Sequence, residues 1–174
     1  MVERQTRIDG RDCIKFVERK TQSNWVRIIN DRGCYSMVGR LSRRGSQQVS
    51  LQIPGCLGKE TVAHELIHAL GFNHEQTRPD RDQWIQVNYN NIAPAMRHNF
   101  EKSENYQDLG TPYDYKSIMH YEETAFASNP RYLTMKAVKP PYTLKRNYEL
   151  SPIDVEEIRK LYNCKSGTYS ALLF

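Results

Sequence analysis

Three histidines, a glutamate and a glycine lie close together between residues 64 and 74. On a helix, His64 and His68 would differ by about 40° around the axis and about 6 Å along it, so both imidazoles can face one metal ion. Gly71 can adopt the positive φ of a sharp turn, which would bring His74 back as a third ligand. Three neutral imidazoles suit Zn²⁺ and leave one coordination position for water. The spacing therefore predicts one zinc ion per chain.

Glu65 is a candidate general base beside this metal site. It follows His64 directly and would point about 100° away around the helix, which places its carboxylate near the ion without making it a ligand. Zn²⁺ lowers the pKa of bound water to about 7, and a neighbouring carboxylate can accept the proton and later deliver it to a leaving amine. The expected reaction is hydrolysis of an amide bond, with Glu65 as general base.

The segments before this motif predict a sheet. Residues 25–30 alternate and are rich in β-forming side chains, and residues 35–38 form a second short candidate strand between glycines. Residues 47–51 are extended and polar on one face, which predicts an exposed edge strand that ends before Pro54 and Gly55.

The motif and the C-terminal region predict helices. Apolar residues at helical spacing lead up to Gly71, where a helix C-cap is expected. A last helix is predicted after Ser151, with proline at its first position, and runs to Cys164. The chain between them is expected to be irregular apart from a short helix at residues 95–102. The predicted class is α+β: a twisted mixed sheet, an active-site helix and an irregular C-terminal half.

Composition narrows the function classes. The chain has 174 residues, with 25 Lys or Arg and 20 Asp or Glu, so its formal net charge is +5. This length suits one globular domain, and no apolar run is long enough to span a bilayer. No nucleic-acid-binding motif accompanies the basic residues, so solvated loops are a better interpretation than a basic adaptor for anionic polymers. Two groups of basic residues stand out: Arg40, Arg43 and Arg44, and Lys139, Lys145 and Arg146.

Four cysteines are dispersed along the chain, at Cys13, Cys34, Cys56 and Cys164. Their spacing fits neither a thiolate zinc site nor a CxxC redox motif. Their even number predicts two disulfides and an oxidising compartment, and three pairings are possible. The first sixteen residues contain no apolar stretch of the kind found in signal peptides, which predicts a chain cut from a longer one or an incomplete gene model.

The segment HELIHALGFNHEQTRPDRD, residues 64–82, resembles the metzincin zinc peptidases, whose HExxHxxGxxH motif is followed by a Met-turn. Here that second element is SIMHY at residues 117–121, after PYDY at residues 112–115. The extended signature HExxHxxGxxHExxRxDRD is similar to that of the astacin family in particular. It is matched in full by His64, Glu65, His68, Gly71, His74, Glu75, Arg78, Asp80, Arg81 and Asp82.

The resemblance implies a role for each matching residue. His64, His68 and His74 would bind zinc, and Tyr121 would be a phenolic ligand that leaves the metal and stabilises the oxyanion. Outside the SIMHY motif, Tyr121 would be interpreted as a core tyrosine. Structural roles are implied for Met119, which would pack beneath the metal, and for Gly71 and Glu75. His98 matches no motif, and His120 is interpreted as structural.

The resemblance covers residues 10 to 164 and implies the disulfides Cys13–Cys164 and Cys34–Cys56. We therefore expect a peptidase domain at residues 1–164 and a short C-terminal tail at residues 165–174. Family members begin with a further strand and most of a helix, and their N-terminal amine engages the residue equivalent to Glu75. That start, the signal peptide and the inhibitory pro-segment are not expected in this chain, which suggests a fragment of a secreted proenzyme.

The predicted function is a secreted zinc endopeptidase that cleaves internal bonds of an extended protein or peptide substrate. The substrate strand is expected to pair with residues 47–51 by backbone addition. Residues 144–151 depart from the family's pattern, and Lys145 or Arg146 could attract acidic side chains there, although exposed loop charge is the simpler interpretation. The alternative function is a non-catalytic zinc-holding fragment or binding module. The sequence specifies neither the substrate nor an oligomeric state.

Overall fold

The computed structural model describes residues 1–41, 45–139 and 141–165. The chain divides into two compact units: Met1–Phe72 together with the chain from Tyr148 onward, and Asn73–Asn147. Two residues of the first basic group, Arg43 and Arg44, lie outside the described residues, as does the predicted tail beyond residue 165.

The first unit contains a small mixed sheet and three helices. The strands are β1 (Asn24–Ile29), β2 (Cys34–Ser36) and β3 (Gly45–Leu51), and the helices are α1 (Val2–Thr6), α2 (Lys59–Leu70) and α3 (Pro152–Leu161). The sheet order is β1-β3-β2, with β1 parallel and β2 antiparallel to β3. No helix in the described ranges is long and apolar enough to cross a bilayer. The predicted mixed sheet ahead of the motif helix is confirmed.

The expectation that residues 47–51 form an exposed edge strand is wrong, because β3 is the central strand. Two polar side chains of β3, Gln47 and Ser50, are buried and bind loop backbone, whereas Ser46 and Gln48 are exposed. Gln47 donates to the Gly39 carbonyl at 2.9 Å and accepts from the Leu41 N–H at 3.2 Å. Ser50, which is fully buried, donates to the Gly33 carbonyl at 2.9 Å. Gln47 and Ser50 are polar because they form buried hydrogen bonds, and not because they face solvent at a sheet edge.

The core of this unit lies between β3 and α2. Val49, Leu51, Cys56 and Ala69 form one buried cluster, against which Val26 and Val62 pack. Two disulfides are present, Cys13–Cys164 and Cys34–Cys56, in the pairing that the family resemblance implied. The second bridge joins β2 to the loop before α2, and the first joins the N-terminal segment to the end of α3.

Helix α3 begins as predicted and ends one turn early. The Ser151 hydroxyl accepts from the Asp154 N–H, and the Asp154 carboxylate accepts from the Ser151 N–H, which is a reciprocal capping box. The helix ends at Leu161 rather than Cys164, since Asn163 has a φ of 51° and cannot continue it. Along α3, Arg159 donates to the carbonyls of Thr6 and Arg7.

The second unit is largely irregular, as predicted. Its strands β4 (Ile85–Val87) and β5 (Met135–Ala137) form an antiparallel pair. Short 3₁₀ helices make up most of the remaining regular structure: Glu75–Thr77, Arg81–Gln83, Tyr89–Asn91 and Pro94–Phe100. The last of these occupies the place of the short helix expected at residues 95–102. The core is built mainly from Ile85, Ile92, Phe100, Tyr113, Tyr115, Met135 and Leu144.

Candidate metal centre

Helix α2 presents two histidines one turn apart. The ring centroids of His64 and His68 are 4.7 Å apart, with the rings nearly perpendicular. One ligand atom from each of His64, His68 and His74 lies within 4.8 Å of the other two. The structure therefore brings together the three residues that the spacing predicted as ligands.

A glycine turn ends α2 and leads to the third histidine. Gly71 has a φ of 114°, in the left-handed region that favours glycine, and its N–H donates back to the His68 carbonyl at 2.8 Å. The Phe72 N–H returns to the Ile67 carbonyl at 3.3 Å. These bonds close the helix and redirect the chain within three residues of His74. The predicted C-cap at Gly71 is confirmed.

The same turn fixes the tautomer of His68. Its Nδ1 lies 2.7 Å from the Phe72 carbonyl oxygen. Because a carbonyl can only accept, Nδ1 carries the proton, and the lone pair of the ring is on Nε2. Burial, together with the nearby charge of His64, lowers the pKa of His68 to about 3, although the bond to Phe72 opposes this shift. The imidazole is thus neutral at physiological pH, as a metal ligand must be.

Glu65 is buried on α2 with one oxygen unsatisfied. Its side chain is 5% exposed, and among the described residues no group hydrogen-bonds to Oε2. Burial raises the pKa of Glu65 to about 7. A buried carboxylate oxygen without a donor is unusual in a folded protein and is typical of a site that receives a further group. The three histidine nitrogens form a donor set that fits a zinc ion, and the unsatisfied oxygen of Glu65 belongs to the same helix.

Tyr121 lies beside the third histidine. The ring centroids of Tyr121 and His74 are 4.3 Å apart. The Tyr121 ring also makes edge contacts with Phe100 and Phe126, at 5.9 and 5.4 Å between centroids. Its backbone N–H donates to the side-chain oxygen of Gln76 at 3.3 Å. Tyr121 is thus half-buried at the edge of the aromatic core, with its ring against a proposed ligand.

The Met-turn is held to the segment that follows His74. The Met119 carbonyl accepts from the Glu75 N–H at 3.1 Å, and the Ser117 hydroxyl accepts from the Met119 N–H at 2.9 Å. The Met119 side chain is buried. Both nitrogens of His120 are engaged, Nδ1 donating to the Tyr121 carbonyl at 2.6 Å and Nε2 accepting from the Tyr113 hydroxyl at 2.7 Å. These bonds favour the structural interpretation of His120.

Glu75 is buried with partners in its own unit. Its Oε1 accepts from the Asp114 N–H at 2.7 Å and lies 3.6 Å from Nη1 of Arg78. The family resemblance gave an N-terminal amine as the partner of this carboxylate in family members, and it predicted neither the hydrogen bond from Asp114 nor the ion pair with Arg78. The Asp114 contact ties Glu75 to the segment just before the Met-turn.

The charged residues that follow in the signature are architectural. Arg78 makes two bonds to Asp80, at 2.9 and 3.1 Å, and donates to the Thr111 carbonyl at 3.2 Å. Arg81 donates to the carbonyls of Gln76 and Phe100 at 2.9 and 2.6 Å. Buried arginines therefore satisfy backbone oxygens that no helix or strand satisfies.

Gln76 was missed by sequence reasoning, because it occupies a variable position of the signature. It is fully buried, and its side-chain oxygen holds the backbone of Tyr121. No periodicity or spacing marks such a residue. Lys145 and Arg146, considered for substrate preference, are exposed, and their role stays a prediction.

A helix carrying HExxH, a glycine turn, a third histidine and a Met-turn with tyrosine define a metzincin-type zinc peptidase site. The family model for the astacin peptidases matches residues 4–163. The chain belongs to the astacin family. Its cofactor is one zinc ion, which the three histidines can hold.

Named relatives agree with this assignment. The chain is 46% identical over 158 residues to zinc metalloproteinase nas-6 of Caenorhabditis elegans, a match that covers 88% of this chain and 45% of that protein. It is 40% identical over 158 residues to high choriolytic enzyme 1 of Oryzias latipes, covering 90% of this chain and 57% of that protein. The chain thus spans about half the length of these curated relatives.

A solved structure shares the fold. High choriolytic enzyme 1 of Oryzias latipes, a hatching-enzyme zinc protease, superimposes with a TM-score of 0.84 at 39% identity. The superposition covers 94% of this chain and 80% of that chain. The expected α+β peptidase fold is therefore confirmed.

Proposed function

We propose that this chain is the catalytic part of a secreted zinc endopeptidase that hydrolyses internal peptide bonds of an extended protein or peptide substrate. The observation that carries the proposal is the cluster of three histidine ligand atoms within 4.8 Å, adjoined in sequence by a buried carboxylate with an unsatisfied oxygen. His64, His68 and His74 would hold the zinc ion. A zinc ion held there supplies Lewis acidity, which polarises a carbonyl and makes water more acidic.

Glu65 is the proposed general base. A carboxyl group with a pKa of about 7 can accept a proton and return it near neutral pH, which is the requirement for acid–base catalysis in both directions. Oε2 has no hydrogen-bond partner within the described ranges that would compete for this proton. Glu65 would first take the proton of the attacking water and then deliver it to the leaving amine.

Tyr121 is the proposed oxyanion partner and, before substrate binds, an additional metal ligand. A phenol aimed at the carbonyl oxygen stabilises negative charge where it develops in the transition state. Its ring lies 4.3 Å from that of His74, and its backbone is held by Gln76. Met119, Gly71 and Glu75 are proposed to support the site rather than to react.

The substrate strand is proposed to add to β2, because β3 is central. Within the described residues β2 pairs on one side only, with β3. An extended polypeptide can add to such an edge by main-chain hydrogen bonds. Tyr35, Met37 and Val38 are exposed along this edge and offer apolar contacts. Just beyond them, the Gly39 N–H donates to the His68 carbonyl at 2.8 Å, which connects the edge to the zinc-binding helix.

Secretion is proposed from the two disulfides. Such bridges persist in oxidising compartments and are rare in the cytosol. Together with the peptidase assignment, they favour an extracellular protein substrate.

The test is cleavage of a denatured general protein by the purified, oxidised chain, with and without a zinc chelator. Cleavage that the chelator abolishes and added zinc restores would support the proposal. One bound zinc per chain without any cleavage would overturn it and favour the alternative, a zinc-holding module without catalysis.

A further inference from the structure

We propose that Tyr162, at the C-terminal end of α3, is a positioning residue for the zinc ligands. Its hydroxyl donates to the Leu70 carbonyl at 2.5 Å. Leu70 is the last residue of α2, so this carbonyl belongs to the final turn and has no partner within its own helix. Tyr162 therefore caps the zinc-binding helix from another element.

The contact is well suited to hold a fixed geometry. Tyr162 is half-buried, and burial raises the pKa of its hydroxyl to about 12, so the group remains a donor throughout the physiological range. Its neighbour Leu161 lies near the same turn, since a Cβ added at Gly71 would be 3.6 Å from Leu161 Cδ2. The end of α3 is thus next to the turn at two consecutive residues, Leu70 and Gly71.

The support behind Tyr162 is itself fixed. The disulfide Cys13–Cys164 joins the chain two residues further on to the N-terminal segment. Arg159, one turn earlier, donates to the Thr6 carbonyl at 3.0 Å. The end of α3 is therefore a rigid platform rather than a mobile terminus.

The turn held by Tyr162 sets two zinc ligands. Phe72, two residues after Leu70, supplies the carbonyl that fixes the proton on Nδ1 of His68. His74 follows two residues later. A looser turn would broaden the orientation of the His68 ring and the approach of His74, so zinc binding would have to order both. Tyr162 would then act on metal affinity without touching the metal.

The test is Tyr162→Phe, which retains the ring and removes only the hydroxyl. This inference rests on the proposed zinc ligands but not on peptidase activity, so the readout is metal binding. The zinc Kd is measured by chelator competition at a temperature where each variant is fully folded, and the visible spectrum of the Co²⁺-loaded protein is recorded. We expect zinc binding to be about 5–10-fold weaker, somewhat below the loss typical of groups bonded directly to a ligand. The Co²⁺ bands should also change.

Ser151→Ala is the matched control, because it weakens α3 at its opposite end. Both substitutions should lower the Tm by about 2–4 °C. Only Tyr162→Phe should change the zinc Kd and the Co²⁺ spectrum. An unchanged Kd and spectrum in Tyr162→Phe would overturn the inference and leave the hydroxyl a purely structural role, as would an equal loss of affinity in Ser151→Ala. A parent protein that binds no zinc would overturn the proposed metal site and this inference with it.

Discussion

The first unit satisfies its backbone mainly through regular structure, whereas the second relies on individual buried side chains. In the first, β1 and β2 both pair with β3, and two long helices satisfy their own amides. In the second, the single side chain of Arg81 donates to the carbonyls of both Gln76 and Phe100. A strand or helix distributes the energy of its hydrogen bonds over many residues. An irregular segment concentrates it in a few.

This difference explains why the astacin signature extends beyond the metal ligands. The HExxH segment lies on a helix whose apolar spacing is enough to predict it. The signature residues of this segment are therefore those proposed to bind zinc or act as base, namely His64, Glu65 and His68. After His74 the chain has no such periodicity, and the signature residues Arg78 and Arg81 replace it as the organising contacts. One half of the motif therefore carries the residues of the proposed chemistry, and the other half carries buried contacts that organise the chain.

The largest effect is expected for Glu65→Ala in the first unit. Loss of the proposed general base should reduce kcat/KM by about 10³-fold while one zinc ion per chain is retained. Metal content and cleavage of a protein substrate are the measurements, with exposed Glu156→Ala as the control. A variant of Glu65 that kept full activity would show that the chemistry does not depend on this helix position.

Arg81→Met in the second unit should lower the free energy of unfolding by about 3 kcal/mol. The substitution leaves the Gln76 carbonyl without its side-chain donor in a buried setting. It also removes one of two donors to the Phe100 carbonyl, which still accepts from the Tyr89 hydroxyl at 2.9 Å. Urea denaturation measures the change, and Arg97→Met, on the exposed side of a nearby 3₁₀ helix, should be almost neutral. Equal effects at Arg81 and Arg97 would contradict the architectural role.

Tyr121→Phe should reduce turnover by about 10²-fold with zinc still bound. The ring contacts with His74, Phe100 and Phe126 would remain, so the loss should appear in kcat rather than in the Tm. Tyr132→Phe, an exposed position in the same unit, is the control. An unchanged rate would make Tyr121 a core tyrosine, which is the interpretation that its packing alone would support.

Ser151→Ala tests the same comparison in the first unit, where it removes the N-cap of α3. The cap bond to Asp154 is lost, and the free energy of unfolding should fall by about 1 kcal/mol, well below the effect at Arg81. Urea denaturation of both variants under the same conditions makes the test. An effect at Ser151 as large as that at Arg81 would remove the contrast between the two units.

The contrast between regular structure in the first unit and individual buried contacts in the second also determines which features the sequence could predict. The zinc-binding helix, its glycine cap and the start of α3 follow from spacing, a positive-φ residue and a capping serine, all of which are local signals. The position of β3 in the sheet was misjudged, because Gln47 and Ser50 are polar yet buried against loop carbonyls. Which polar side chain faces solvent depends on loops that are distant in sequence.

The second unit was predictable only as irregular. The pairing of Glu75 with the Asp114 N–H joins residues 39 positions apart, and the role of Gln76 depends on where the Met-turn returns. Neither follows from the types of the residues concerned. The family resemblance supplied the residues of this region without their contacts.

The smallest effect is expected for Asp80→Asn, which should lower the free energy of unfolding by an amount that depends on pH. The hydrogen bonds from Arg78 hold the pKa of Asp80 below its unfolded value of 3.8, although burial opposes them. A carboxyl group with a depressed pKa in the folded state stabilises the protein above the unfolded value and loses this contribution as pH falls through the folded value. At neutral pH the substitution should cost about 0.5–1 kcal/mol, after allowing for solvent screening of a side chain that is 37% exposed.

The difference between parent and Asp80→Asn should therefore be constant from neutral pH down to about pH 5 and should shrink below the unfolded value of 3.8. Urea denaturation over this range measures it. Glu156→Gln in α3 is the control, since its ion pair with Lys160 is exposed and the substitution should have almost no effect at any pH. A difference at Asp80 that persisted in acid would mean that the amide does not reproduce the contacts of the carboxyl group with Arg78, so that shape rather than charge organises this turn.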